Sequence, residues 1–346
     1  MNRFSWVSPK TVSEAASIAS TVMAEAMTAA DDEPGPAKET LIKAGGIDLL
    51  DLLKEGLVEP GTVVSLGGIP QLDAIVNEAD GSLRIGAMAT LASIADHPLV
   101  RRRYPAFAGA IAASASPQIR NMATLGGNLL QRPRCWYFRA AEYRCLRKGG
   151  GHCFALSGEN QYHAIFNNMP CAIVHPSTGA TVLVALGATL ELVNANGKVR
   201  QSLLEDFFVT PDKDVTRENN LQSQEILTAI RVPALGAGVR MAHLKQGEKD
   251  SFDWPLADVA VVLDLASNGN CRSAAIILGA AAPVPYRAKA AERILTGRPI
   301  DEAVAQEAGR AALDGAAPLS KNAYKLPLFE TLVRRAILAA LEKGDG

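Results

Sequence analysis

The chain has 346 residues, 48 % of them hydrophobic and 21 % charged, with a formal net charge of −1. That balance suits a globular protein of two or three domains, at roughly 100–200 residues each. It leaves no basic surplus for nucleic acid or an anionic membrane, and no apolar run approaches the roughly 20 residues that span a bilayer.

The N-terminal "MNRFSWVSPKTVSEAA" has neither an apolar signal core nor a twin-arginine pair, so no export address is expected. Thr11 followed by Glu14 fits a capping box, and "TVSEAASIASTVMAEAM" reads as a helix. "TAADDEPGPAKE" is a polar loop. "TLIKAGGIDLLDLLKEGL" gives a short strand at Leu41 and Ile42, a tight turn at Gly45-Gly46 and then a helix. "TVVSLGG" and "SLRIGAMAT" are strand-like, and "AFAGAIAASAS" is a buried helix. Residues 131–171 have no regular periodicity and are rich in Gly, Arg and Cys.

Regular structure resumes at "ATVLVALGATLELVNANGKVRQSLLEDFF", with a hairpin signal at Asn196-Gly197. "EILTAIRVPALGAG" is a strand followed by a Pro/Gly break, the expected main domain boundary. "DVAVVLDLASNGNCRSAAIILGAAA" is a second hairpin turning near Asn268-Gly269, and three helices follow from about Tyr286, Asp301 and Tyr324. Mixed helices and separate antiparallel hairpins indicate an α+β fold.

Four features carry chemistry. The run Ala44-Gly45-Gly46-Ile47-Asp48-Leu49-Leu50 is a strand–glycine–helix junction. Such a junction aims free N–H groups and the positive end of a helix dipole at an anion, or is a plain αβ turn. It lacks the third glycine of the dinucleotide fingerprint. Thr124-Leu125-Gly126-Gly127-Asn128 is a second glycine turn, and two such turns suit a ligand with two phosphates. Cys135, Cys145, Cys153 and Cys171 are spaced more widely than structural zinc or ferredoxin motifs. They are either a metal site or unrelated thiols. The aperiodic segment, the glycines 149–151 and the surrounding Arg132, Arg134, Arg139, Arg144, Arg147 and Lys148 favour an anionic metal cluster. Lys245 ends a strand in "HLKQGEK". The five histidines show no ligand spacing, and no Ser-His-Asp set or Walker loop is present.

In this order, "KAGGIDLL", "SLRIGAMATLASIA", "QIRNMATLGGNLLQ", "EILTAIRVP" and "AAIILGAAAPVPYRAKAAERILTG" resemble the FAD-binding medium subunit of the molybdenum hydroxylases, the xanthine dehydrogenase family. The likeness runs from about Phe4 to Leu341. The stretch "LLQRPRCWYFRAAEYRC…GHCFALSGENQYHAIF…CAIVHPS" is similar to the flavin subunit of bacterial aldehyde oxidoreductases, whose inserted segment holds a [4Fe–4S] cluster.

The resemblance implies an α+β protein: a two-part FAD-binding domain over 1–233, with an iron–sulfur insertion at 131–171, and a C-terminal α+β domain over 234–346. Ile42, Lys43, Ala44, Gly45, Gly46, Ile47, Asp48, Leu49 and Leu50 would hold the FAD pyrophosphate. Thr124, Gly126, Gly127 and Asn128 would close over the other side, and Leu227 and Lys245 would lie near the isoalloxazine. Cys135, Cys145, Cys153 and Cys171 would ligate the [4Fe–4S] cluster, with Cys271 structural. No side chain would be catalytic. The implied partners are a small subunit with two [2Fe–2S] clusters and a large molybdopterin subunit, with electrons passing to FAD here and then to an external acceptor. The complex would be cytoplasmic, or periplasmic if exported folded with a signal-bearing partner. The chain departs from the family's commoner Thr at Ile47 and Asp at Thr178. The alternatives are a self-sufficient flavin oxidoreductase, which would need its own substrate pocket with acid–base residues, and a flavin-free structural subunit.

Overall fold

The computed structural model describes residues 3–28, 39–249 and 251–342. The polar loop expected over 28–39 therefore lies, from 29 to 38, outside the described residues. Three sheets organise the rest.

The first is a parallel sheet of β1 (Ser5–Val7), β2 (Thr40–Lys43) and β3 (Thr62–Ser65), in the order β1-β3-β2. Parallel strands need a crossover. Here it is the helix Ile47–Lys54, which buries Leu49, Leu52 and Leu53 against Leu41 and Val63 and against Phe138 and Cys145 of the cysteine segment. The capping box forms with a shift. Thr11 Oγ1 accepts from the Glu14 N–H at 3.1 Å, while the Glu14 carboxylate takes the N–H of Lys10 rather than that of Thr11. The single helix expected after it is two, Val12–Ile18 and Met23–Thr28, because the Ala19 carbonyl accepts instead from Gln224 N–H at 2.7 Å.

The second sheet is antiparallel, with β4 (Ile75–Asn77), β5 (Leu83–Gly86), β6 (Thr189–Asn194), β7 (Val199–Leu203) and β8 (Glu225–Val232) in the order β4-β5-β8-β6-β7. Helices Leu91–Asp96, Pro105–Ala112 and Thr178–Ala185 share its core. The hairpin turn between β6 and β7 places Gly197 at φ +75°, a left-handed conformation that favours glycine.

The third sheet, also antiparallel, comprises β9 (Val239–Gln246), β10 (Ala257–Leu265), β11 (Cys271–Gly279) and β12 (Tyr286–Arg287) in the order β12-β11-β10-β9. Its alternation is double-sided. Val259, Val261 and Leu263 pack under helices Lys289–Leu295, Glu302–Ala311 and Lys325–Glu342, whereas Ala260 faces the core of the second sheet. Cys271 is buried in the first of these layers. No helix among the described residues is long and apolar enough to cross a membrane.

Candidate functional site

A cleft of about 560 Å³ opens where these parts meet, within the range of about 300–1,000 Å³ usual for ligand sites. Two glycine turns form its throat. Gly46 sits at φ +87° and caps the helix Ile47–Lys54 without a side chain. The N–H groups of Ile47, Asp48 and Leu49 thus begin the helix with no intrahelical acceptor, beside the cleft. The opposite turn is the start of helix Leu125–Leu129, capped by Thr124 Oγ1, which accepts from Gly127 N–H at 3.2 Å.

The two turns touch. A Cβ on Gly45 would collide with the Met122 carbonyl, and one on Gly127 would stand 3.1 Å from Thr124 Oγ1 and 3.9 Å from Ala44 Cβ. A Cβ on Gly126 would meet Ala87 Cβ at 2.9 Å. Gly45 and Gly126 are thus held by close approach and Gly46 by its positive φ, whereas Gly127 has room for a side chain at a modest local cost.

Of the positions singled out in the sequence, Ile42, Ala44 to Leu49, Thr124, Gly126, Gly127, Asn128, Leu227 and Lys245 line the cleft, whereas Lys43 and Leu50 do not. Lys43 folds back over the turn, its Nζ donating to the Ala44 carbonyl at 3.1 Å and lying 5.5 Å from the centre of the Trp6 ring, and Leu50 is exposed on the outer side of its helix. Strand alternation and helical rotation separate residues that are contiguous in sequence. Lys245 donates to the Ala113 carbonyl at 3.0 Å, and burial pulls its pKa down. Thr178 also lines the cleft. The preceding Ser177 caps the helix Thr178–Ala185 and donates to Asn128 Oδ1 at 2.5 Å, which fixes the second glycine turn from behind.

The basic crowd of the cysteine segment is largely spent on carboxylates rather than directed at the thiols. Asp48 Oδ1 takes Arg134 at 2.9 Å and Arg139 at 2.6 Å, and its Oδ2 accepts the Arg132 N–H at 2.8 Å. Arg139 also reaches Asp51 at 2.9 Å. Glu218 lies between Arg132 at 2.8 Å and Arg147 at 2.5 Å, and all three side chains are nearly inaccessible. Four guanidiniums thus face three carboxylates. Arg132 retains two buried nitrogens without hydrogen-bond partners beside the cleft. Glu218 escaped the sequence reading because its partners lie far off in the chain. So did Phe252 and Trp254, exposed aromatics at the cleft mouth, where Trp254 sits 5.2 Å from the Arg134 guanidinium.

Cys135, Cys145, Cys153 and Cys171 line one second, small cavity together with Arg147 and His163, and none is in a disulfide. Among the described residues no three His, Cys, Asp or Glu side chains stand ready to share a single metal ion. The thiols differ. Burial pushes Cys135 up to about 12 and raises Cys145. A hydrogen bond from the Cys153 thiol, aided by the Arg147 charge, pulls Cys171 down to about 6. His163 Nε2 lies 3.2 Å from Cys135 Sγ, and burial lowers that imidazole to about 4.

The comparison with known proteins decides the family. Residues 2–235 match the FAD binding domain in molybdopterin dehydrogenase, and residues 242–340 match the CO dehydrogenase flavoprotein C-terminal domain. The chain belongs to the FAD-binding medium subunits of the molybdenum hydroxylases. It is 34 % identical over 319 residues to the aldehyde oxidoreductase FAD-binding subunit PaoB of Escherichia coli K12, covering 92 % of this chain and 95 % of that one. It is 27 % identical over 346 residues to the carbon monoxide dehydrogenase medium chain of Hydrogenophaga pseudoflava, covering 98 % and 97 %. The solved carbon monoxide dehydrogenase from that organism superposes with a TM-score of 0.73 at 27 % identity, covering 99 % of this chain and 98 % of that one. Quinoline 2-oxidoreductase from Pseudomonas putida 86 gives 0.72 at 25 % identity, covering 99 % and 98 %. Like its relatives, the chain is an oxidoreductase subunit.

Proposed function

We propose that this chain is the electron-relaying flavin subunit of an aldehyde- or N-heterocycle-oxidising complex. It takes electrons from [2Fe–2S] clusters on a small subunit and hands them to an external acceptor, while substrate is oxidised at a molybdopterin centre on a large subunit. The observation that carries this reading is the meeting of two glycine turns in one cleft of about 560 Å³, in a chain of this family. The aldehyde oxidoreductase relative favours an aldehyde as the substrate of the complex.

FAD, when bound, supplies the redox-active ring and a pyrophosphate. The N–H groups of Ile47, Asp48 and Leu49, presented by the turn Ala44-Gly45-Gly46, would receive that pyrophosphate, and the two unpartnered nitrogens of Arg132 favour it. Thr124, Gly126, Gly127 and Asn128 close the opposite side, and Leu227 and Lys245 flank the ring. We assign 1–233 to the FAD-binding domain and 234–346 to the C-terminal domain. The four cysteines at 135, 145, 153 and 171 hold a [4Fe–4S] cluster. The support is a soft, all-thiol donor set around one cavity, with one thiolate already favoured at Cys171. No side chain here acts as acid or base on the substrate.

The test is anaerobic mixing of the flavin-loaded chain with aldehydes and purines, followed at the flavin absorbance. Bleaching should require the molybdenum and [2Fe–2S] subunits. Rapid bleaching by the isolated chain would favour a self-sufficient flavoenzyme instead.

A further inference from the structure

We propose that the helix Ile47–Lys54 couples the two cofactor sites, so that loss of the cluster loosens FAD. This rests on the cofactor assignments above and adds a regulatory link between them. The helix serves both sites. Its N-terminal turn borders the cleft, and its apolar side, through Leu49, Leu52 and Leu53, packs in one core with Phe138 and Cys145. Cys135 and Phe154 touch the same core.

The polar side is fastened to the same segment. Arg139 closes the short helix Trp136–Arg139 that begins directly after Cys135. Its planar guanidinium spans the first turn of Ile47–Lys54, one arm to Asp48 and the other to Asp51, while its Nε holds the Pro133 carbonyl at 2.8 Å. Arg134, immediately before Cys135, adds the contact to Asp48. Arg139 and Asp48 are both mostly buried, at 13 % and 18 % exposure, so solvent screens the pair little. The segment 131–171 contains only one short helix and two 3₁₀ turns, so metal–thiolate bonds would be a main source of its order. Remove them, and the residues that grip Asp48 and Asp51 lose their fixed positions. The turn carrying the free N–H groups then loses its brace. By linkage the effect is reciprocal: bound FAD must tighten retention of the cluster at equilibrium by the same factor.

The experiment uses the full chain, purified anaerobically, with iron and sulfide measured first. FAD affinity is titrated by flavin fluorescence before and after iron removal by an oxidant and chelator, and the chelator concentration that strips half the iron is compared with and without FAD. Removal of iron should weaken FAD by about 5- to 150-fold, the range of ordinary coupling energies. Hydrogen exchange should accelerate at 47–54 and 131–171, with the sheet of β4 to β8 unchanged. Arg139→Gln should weaken FAD with iron still bound and shrink the further loss on iron removal. Arg139→Lys, which keeps the charge but not the fork, should fall between. If the glutamine variant does not fold, the wild-type pair of titrations decides alone. Equal FAD affinity with and without iron in the wild type overturns the coupling and leaves the cluster assignment intact. FAD loss accompanied by faster exchange throughout the chain also overturns it. A chain without iron or sulfide after anaerobic reconstitution overturns the cluster assignment and the coupling together.

Discussion

Replacing Glu218 with alanine removes the one carboxylate between two buried guanidiniums. Glu218 is 4 % exposed at its side chain, Arg132 3 % and Arg147 1 %. Arg132 keeps the Thr216 carbonyl at 3.0 Å and the face of Phe138, and Arg147 keeps the Arg217 carbonyl at 3.2 Å and the Cys171 sulfur. Breaking a buried ion pair by deleting one partner costs about 3–5 kcal/mol, because a charge is left desolvated and uncompensated. Arg132 is left in that state while Arg147 keeps Cys171, so a loss within that range is expected, a large share of the roughly 5–15 kcal/mol that keeps a domain folded. Urea titration, followed by far-ultraviolet dichroism, is the assay, since guanidinium salts would screen the charges under test. The midpoint should fall by the equivalent of about 3–5 kcal/mol, and added salt should restore little of it. Glu218→Gln, which retains a hydrogen-bond acceptor, should lose less. A loss under about 1 kcal/mol for the alanine variant would refute the reasoning, for it would mean that the guanidiniums are hydrated or otherwise paired.

Three further outcomes are expected. Gly127→Val fills the gap between the glycine turns, beside Thr124 Oγ1 and Ala44 Cβ, and should cut FAD affinity by about tenfold or more while melting within a few degrees of the wild type; full flavin retention after gel filtration would count against the placement. Burial holds His175 neutral, with its pKa lowered to about 3, and its Nδ1 accepts the Ser177 N–H at 3.3 Å. As the pH falls from about 6.5 toward 3 the unfolded chain takes a proton that the folded one refuses. Stability should therefore decline across that window, by on the order of 4 kcal/mol, and His175→Phe should flatten the curve. Cys145→Ser should lower iron and sulfide together and raise protease sensitivity within 131–171; stoichiometric zinc without sulfide in the wild type would contradict the assignment.

Much of the fold was legible because its signals are local. The turn at Asn196-Gly197, the helix start near Asp301 and the strand–turn–helix around Gly45-Gly46 each need only a few neighbouring residues to be recognised. The break in the first helix was not visible, since the Ala19 carbonyl is claimed by Gln224 from β8's approach. The cleft-facing glycine turns are likewise readable, but contiguity in sequence does not separate the residues of the run from Ile42 to Leu50 that face the cleft from those that do not. Periodicity sends Lys43 and Leu50 elsewhere. The arginines of the cysteine segment were visible as a charge excess. That they answer Asp48, Asp51 and Glu218 depends on contacts across the fold, which no short spacing encodes.

The most direct test of the central claim is calorimetric titration of the flavin-free chain with FAD and, separately, with FMN, which lacks the pyrophosphate and adenosine. A cleft built around two facing glycine turns should take one FAD per chain and bind it far more tightly than FMN. Equal affinity for the two flavins, or no binding of either by the folded chain, would contradict the account.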